Sequence, residues 1–317
     1  MTGARLAQLS DRGVVRVAGE DAARLLQGII TNDMDLLATQ PAIHAALLTP
    51  QGKIMFEFFV VKSGDGFLLE TAIDKVADLT KRLAMYKLRA KATIEDLSQS
   101  YVVVALWGEL PSQLPWDEAA VNAGDEYSVR TDIHILWLER YRDPRLYELG
   151  ERWLLPTQVS REPEKHPNVF EIVEPDAYHA HRIALGVPEA GRDYPLADTF
   201  PHEADFDLLN GASFTKGCFV GQEVVSRMQN RATVRKRVVP IRGDAPLTTG
   251  TDITAGAAVI GTVGSVAGTD ALAMLRLDRV AEAKSKGEPL RAGGIPITLR
   301  MATWGVFDLA PTAAEVT

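Results

Sequence analysis

Apolar residues recur along this chain at two spacings, and the switches between them set the expected elements. Val14-Val15-Arg16-Val17 is a β-rich run, and Gly19-Glu20-Asp21 after it is a turn able to cap a helix. Leu25, Leu26, Ile29 and Ile30 then mark one helical face, interrupted at Gly28. Residues 45–49 and 54–61 read as strands around the turn Pro50-Gln51-Gly52-Lys53, and Ser63-Gly64-Asp65-Gly66 folds the second strand back into 67–70 as a hairpin. Asp74 precedes a helix with apolar positions at Val76, Leu79, Leu83 and Tyr86. Further strands are expected at 91–96, 101–106 and 133–138, so strands enclosing one or two helices predict an α+β unit.

Residues 107–130 and 156–175 carry prolines, acids and little periodicity, and read as connections. A short helix is expected over 176–185, with Tyr178, His181 and Leu185 at i, i+3 and i+7. The last eighty residues change character. Gly, Thr and Val dominate, as in Ala258-Val259-Ile260-Gly261-Thr262-Val263-Gly264, and short strands between glycine turns predict a small β-barrel or sandwich from about residue 236.

Composition narrows the function classes. At 317 residues, with 46% hydrophobic and 24% charged side chains, the chain is expected to form two or three globular units. No stretch approaches the ~18 apolar residues of a membrane span, and the start shows no apolar signal core. One cysteine and no visible signal point to a reducing cytoplasm. A net charge of −8 argues against a protein that coats nucleic acid. It leaves room for a local basic patch: Arg227, Arg231, Arg235, Lys236 and Arg237, the first three on one face if a helix runs that far. That patch reads either as an acid-paired solvated face or as a docking site for an anion or partner.

The candidate chemistry centres on Cys218, within Lys216-Gly217-Cys218-Phe219-Val220-Gly221-Gln222-Glu223. A lone cysteine closes no intrachain disulfide and cannot supply the several thiolates of a zinc or iron–sulfur site. If used chemically, it acts as a single thiol in transient or shared chemistry. Lys216 nearby, flanking glycines and a helix expected to begin near Gln222 all favour a thiolate. The alternative, a small buried hydrophobe, stays open. No glycine-rich nucleotide loop and no His-Glu-x-x-His motif occurs, and His179 and His181 are spaced to point apart, so no metal site is expected. Two other polar segments stand out. Gln27 to Asp33 either ends a helix or forms a polar rim for a ligand rich in donors and acceptors; Asp198 to Phe206 sets three acids among aromatic residues.

On the Lys-Gly-Cys-x-x-Gly-Gln-Glu motif, with Val17-Ala18-Gly19-Glu20-Asp21, Leu26-Gln27-Gly28-Ile29-Ile30-Thr31-Asn32-Asp33, Leu48-Thr49-Pro50-Gln51-Gly52-Lys53, Gly186-Val187-Pro188 and Phe200-Pro201-His202-Glu203-Ala204-Asp205 in order, the chain resembles the YgfZ family of folate-binding proteins. These are relatives of the glycine-cleavage T-protein and of mitochondrial iron–sulfur assembly factors. The resemblance implies an α+β, three-domain T-protein-like fold around a central opening. Residues 1–45 with 140–235 would form a folate-binding domain, 46–139 an inserted α+β domain, and 236–317 the C-terminal barrel. It implies a monomer that binds tetrahydrofolate, contacted by Arg12, Gln27, Thr31, Asp33, Tyr178, Glu223 and Arg227. It implies a role in making or repairing iron–sulfur clusters of client enzymes, tRNA-modifying ones included, with Cys218 as the reactive residue supported by Lys216. Partners would be client enzymes or cluster carriers, with no direct nucleic acid or membrane contact. Two alternatives remain: a folate-dependent aminomethyltransferase or demethylase, and a protein-binding scaffold with a vestigial folate pocket. Against the first, the T-proteins carry an aspartate pair where this chain has Phe56 and Glu57.

Overall fold

The computed structural model describes residues 3–110, 128–130, 135–159, 169–231 and 234–305. Contacts divide the chain into two units, Met1–Ala46 with Phe56–Tyr178, and Leu47–Met55 with His179–Thr317.

The first unit is built on two five-stranded sheets. One is ordered β10-β11-β7-β1-β12, from β1 (Arg5–Gln8), β7 (Tyr101–Trp107), β10 (Glu139–Arg142), β11 (Glu151–Pro156) and β12 (Glu171–Ile172). The other is ordered β3-β4-β5-β2-β6, from β2 (Arg12–Ala18), β3 (Ala42–Leu48), β4 (Ile54–Ser63), β5 (Gly66–Ala72) and β6 (Thr93–Asp96), the β3–β4 junction passing into the second unit. The expected hairpin forms with Ser63 opposite Gly66. Helix α1 (Ala22–Gln27) stops one residue before Gly28, and α2 (Val76–Lys87) buries the expected Val76, Leu79 and Leu83. Apolar residues of both sheets, among them Ala7, Val14, Phe59, Leu68, Val103 and Leu154, share one core. A short pair, β8 (Ser128–Arg130) with β9 (Ile135–Trp137), completes the strands of this unit; positions 133 and 134 of the strand expected over 133–138 lie outside the described residues.

Strand pairing crosses the expected boundaries at 45 and 139. β1 lies between β7 and β12, and β2 pairs with β5 and β6. The opening segment and the segment expected as an insertion therefore share both sheets. Long-range hydrogen-bond registers of this kind leave no mark in local periodicity.

The second unit carries α3 (Pro175–Leu185, continuing from the first unit), α4 (Gln222–Arg231), α5 (Leu277–Lys286) and a closed barrel ordered β13-β16-β15-β14-β17-β18. Its strands are β13 (Lys236–Gly243), β14 (Asp252–Ala255), β15 (Ala258–Ala267), β16 (Asp270–Arg276), β17 (Leu290–Ala292) and β18 (Ile295–Leu299). Val239, Ile241, Ile253, Ile260, Val263, Ala273, Leu275 and Ile297 fill it, as alternation in a closed antiparallel sheet requires. Closure pairs β18 back onto β13 and leaves no edge. A buried Arg182 fastens α3 to the barrel, donating to Asp193 Oδ2 at 2.6 Å and Ser265 Oγ at 2.9 Å. Among the described residues no helix is long and apolar enough to cross a membrane.

Candidate functional site

Cys218 is exposed, in the loop that enters α4. Two glycines hold that loop against the β3–β4 turn. Gly221 has φ +80, and a Cβ there would lie 2.7 Å from the Thr49 carbonyl oxygen and 3.0 Å from Gly52 Cα. Gly52 has φ +83, and its Cβ would lie 2.8 Å from Val224 Cβ and 3.2 Å from the Gly221 oxygen. Only residues without side chains allow the two backbones to approach so closely. The turn is closed by Gly52 N–H donating to the Thr49 carbonyl and Thr49 N–H to the Lys53 carbonyl, both 2.8 Å. Phe219 and Val225 are buried on either side of the helix start, and Phe219 N–H donates to Gln222 Oε1 at 3.3 Å. Beside Gly217, by contrast, a Cβ would meet nothing within 4 Å. The thiol therefore stands on a braced loop beside open space.

The packing alternative for Cys218 fails on this exposure. Lys216 is buried, with its ammonium 5.2 Å from the Phe219 ring centroid, a cation–π contact. Lys53, from the bracing turn, binds Asp198 Oδ1 at 2.5 Å and lies over the Phe200 ring. That hydrogen bond and charge hold the Asp198 carboxyl below its ordinary range.

The basic patch dissolves into separate roles. Helix α4 ends at Arg231, so Arg235 does not share its face. Arg227 pairs with Glu223 at 2.5 Å, one turn apart and both exposed. Arg237 turns inward, donating to Asp205 Oδ1 (2.9 Å), both Asp207 oxygens (2.9 and 2.7 Å) and the His202 carbonyl (2.7 Å). The second polar segment is thus the partner of this arginine. His202 Nε2 lies 2.9 Å from Gln229 Oε1 on α4, so the same segment also ties down the helix that follows Cys218.

The residues expected to contact folate in the first unit are used internally. Thr31 is fully buried and accepts from Ala46 N–H at 2.8 Å. Gln27 donates to Asp33 Oδ1 at 2.9 Å and accepts from Met34 N–H at 2.8 Å, while Asp33 also accepts from Asp35 N–H. This is the helix-termination reading, a self-satisfied turn. Arg12 binds Glu70 at 2.9 Å. Tyr178 is 1% exposed, edge-on to Trp107, with the Arg152 guanidinium over its ring and donating to its hydroxyl at 2.7 Å. A pterin could stack on Tyr178 only by displacing these groups. Arg12 and Tyr178 do not fit a ligand contact; they belong to a buried network that sequence reasoning missed.

That network centres on Glu70, fully buried in β5. Arg152 donates to Glu70 Oε1 at 2.5 Å and to Asp143 Oδ2 at 3.1 Å, Arg145 grips both Asp143 oxygens, and the Tyr141 hydroxyl donates to Glu70. Burial pushes the Asp143 carboxyl up, but the Arg145 and Arg152 guanidiniums outweigh it and hold the group well below the usual range. The available signal was charge at core-facing positions of apolar strands: Glu70 after Phe67-Leu68-Leu69, and Arg152 beside Trp153. Phe56 and Glu57 are both buried, and Glu57 meets His44 Nε2 at 2.9 Å. Among the described residues no group of three or more His, Cys, Asp or Glu side chains could hold a metal ion.

Residues 1–113 match the GCVT N-terminal domain family and residues 235–306 the C-terminal β-barrel domain of CAF17. The human mitochondrial iron–sulfur cluster assembly factor IBA57 is 33% identical over 274 residues, which cover 82% of this chain and 72% of that protein. The chain belongs to the IBA57 family. The counterpart from Mycosarcoma maydis is 32% identical over 250 residues and that from Neurospora crassa 29% over 248. The chain spans only 57% and 53% of the length of these two fungal IBA57 proteins. Among solved structures, the glycine cleavage system aminomethyltransferase T from Bartonella henselae superposes with a TM-score of 0.72 over 96% of this chain and 87% of its own, at 18% identity. The IBA57-family chain therefore has the T-protein fold, with mixed sheets and the closed barrel. The expected cytoplasmic location is overturned, because these IBA57 relatives are mitochondrial.

Proposed function

We propose that this protein is an accessory factor in the synthesis or repair of iron–sulfur clusters, and that Cys218 lends one thiolate to a cluster whose other ligands come from a carrier or client protein. The observation that carries this reading is an exposed thiol on a loop braced by Gly52 and Gly221, with no metal-holding group among the described residues. A cluster needs about four ligands, commonly all cysteine. A chain with one cysteine takes part by sharing, and exposure is what sharing requires. The names of the family's members support the cluster role. Arg12, Thr31 and Tyr178 hydrogen-bond within the chain and do not fit a tetrahydrofolate contact. A scaffold with a vestigial folate pocket therefore stands as the second reading for the first unit, and calorimetry with tetrahydrofolate separates it from a folate-dependent factor.

The test compares Cys218→Ala and Cys218→Ser with the native chain in a strain lacking the gene. Both variants are expected to fold and to leave iron–sulfur enzyme activity unrestored. Full restoration by Cys218→Ala would remove the thiol from the mechanism.

A further inference from the structure

The C-terminal end of α2 presents a second feature that the reading of Cys218 does not use. Residues 76–94 contain five cations, Lys81, Arg82, Lys87, Arg89 and Lys91, against one acid, Asp78, in a chain of net charge −8. Lys91 is paired with Glu20 at 2.8 Å. Lys81, Arg82, Lys87 and Arg89 make no ion pair among the described residues. In their midst Met85 is 60% exposed and Leu88 87% exposed. Spacings of three and four put Lys81, Arg82 and Met85 along one side of the last helical turns, and Leu88 and Arg89 follow directly after the helix ends at Lys87.

Leu88 is also strained. It closes α2 with φ 47 and ψ −108, a region that suits glycine. A non-glycine residue held there costs energy that the fold does not recover through burial, since the side chain is almost wholly in water. Strain and exposure at one leucine, with unpaired cations before and after it in the chain, have the character of an interface centre with a polar rim.

We propose that this surface docks a protein partner through a compact acidic face enclosing an apolar pocket for Leu88 and Met85. Charge complementarity names the sign of the partner. An extended polyanion, such as RNA or an anionic bilayer, is disfavoured because the patch is short and the chain as a whole carries a net charge of −8. The exposed apolar groups are aliphatic, suited to a side-chain pocket rather than to base stacking, and methionine adapts to an irregular one.

The test installs p-benzoylphenylalanine at residue 88 of the full chain, with a second placement at residue 85, and irradiates cells of the source organism. Mass spectrometry is expected to find a protein adduct whose cross-linked segment is net acidic. The adduct should vanish in the triple variant Lys81→Glu, Arg82→Glu, Arg89→Glu and persist in Cys218→Ala, which separates this surface from the thiol. With that partner purified, Leu88→Gly should weaken binding at least tenfold while its melting temperature stays the same or rises. Finding no adduct, an adduct to lipid or nucleic acid, an adduct that survives charge reversal, or unchanged affinity in Leu88→Gly overturns the proposal.

Discussion

Replacing Gly221 by alanine tests the brace beneath Cys218. The backbone there has φ +80, and alanine in a left-handed conformation costs roughly 1–2 kcal/mol. The added methyl carbon would also lie 2.7 Å from the Thr49 oxygen and 3.0 Å from Gly52 Cα, backbone atoms that cannot swing aside. Overpacking of this kind adds about 1–3 kcal/mol. A total near 3 kcal/mol is expected, which in a unit of this size lowers the melting temperature by roughly 6–12 °C. Gly217→Ala is the control, because its methyl group meets nothing within 4 Å. Calorimetric melting of both variants measures the cost. The rate at which Cys218 reacts with a disulfide reagent measures whether the loop has moved, and that rate should change in Gly221→Ala and not in Gly217→Ala. A Gly221→Ala melt within a degree of the native chain, or equal damage from the two substitutions, refutes the argument that the two-glycine contact positions the thiol.

Arg152→Met leaves Glu70 and Asp143 buried without their shared cation, and denaturant titration should find a loss of about 3–5 kcal/mol. The depressed Asp143 carboxyl contributes stability that is complete above the unfolded pKa of about 4 and is lost as pH falls below it. Melting temperature should therefore drop as pH falls from about 4 to 2, and Asp143→Asn should melt lower at pH 7 yet lose less over that window; equal slopes would count against the assignment. Arg237→Lys cannot reproduce a fork that reaches Asp205, Asp207 and the His202 carbonyl, so it should destabilise by roughly 1–3 kcal/mol. Arg227→Lys, at an exposed pair one turn from Glu223, should leave the melt unchanged.

Local pattern in the sequence was enough for the β4–β5 hairpin, the buried stripe of α2 and the strand-rich barrel from residue 236, because each depends on neighbours within a few residues. It also singled out Cys218, since a lone thiol among glycines is visible without coordinates. Tertiary structure decided what distance in the chain conceals. Gly52 meets Gly221 across 169 positions, and Glu70 draws Arg12, Tyr141 and Arg152 into one buried network. Arg12, Tyr178 and Arg237 carry the same side chains that would bind a ligand, and only the fold shows them facing carboxylates and guanidiniums of their own chain. Polar groups removed from water must find partners wherever packing places them, so a residue's type set its chemistry and the long-range contacts set its use.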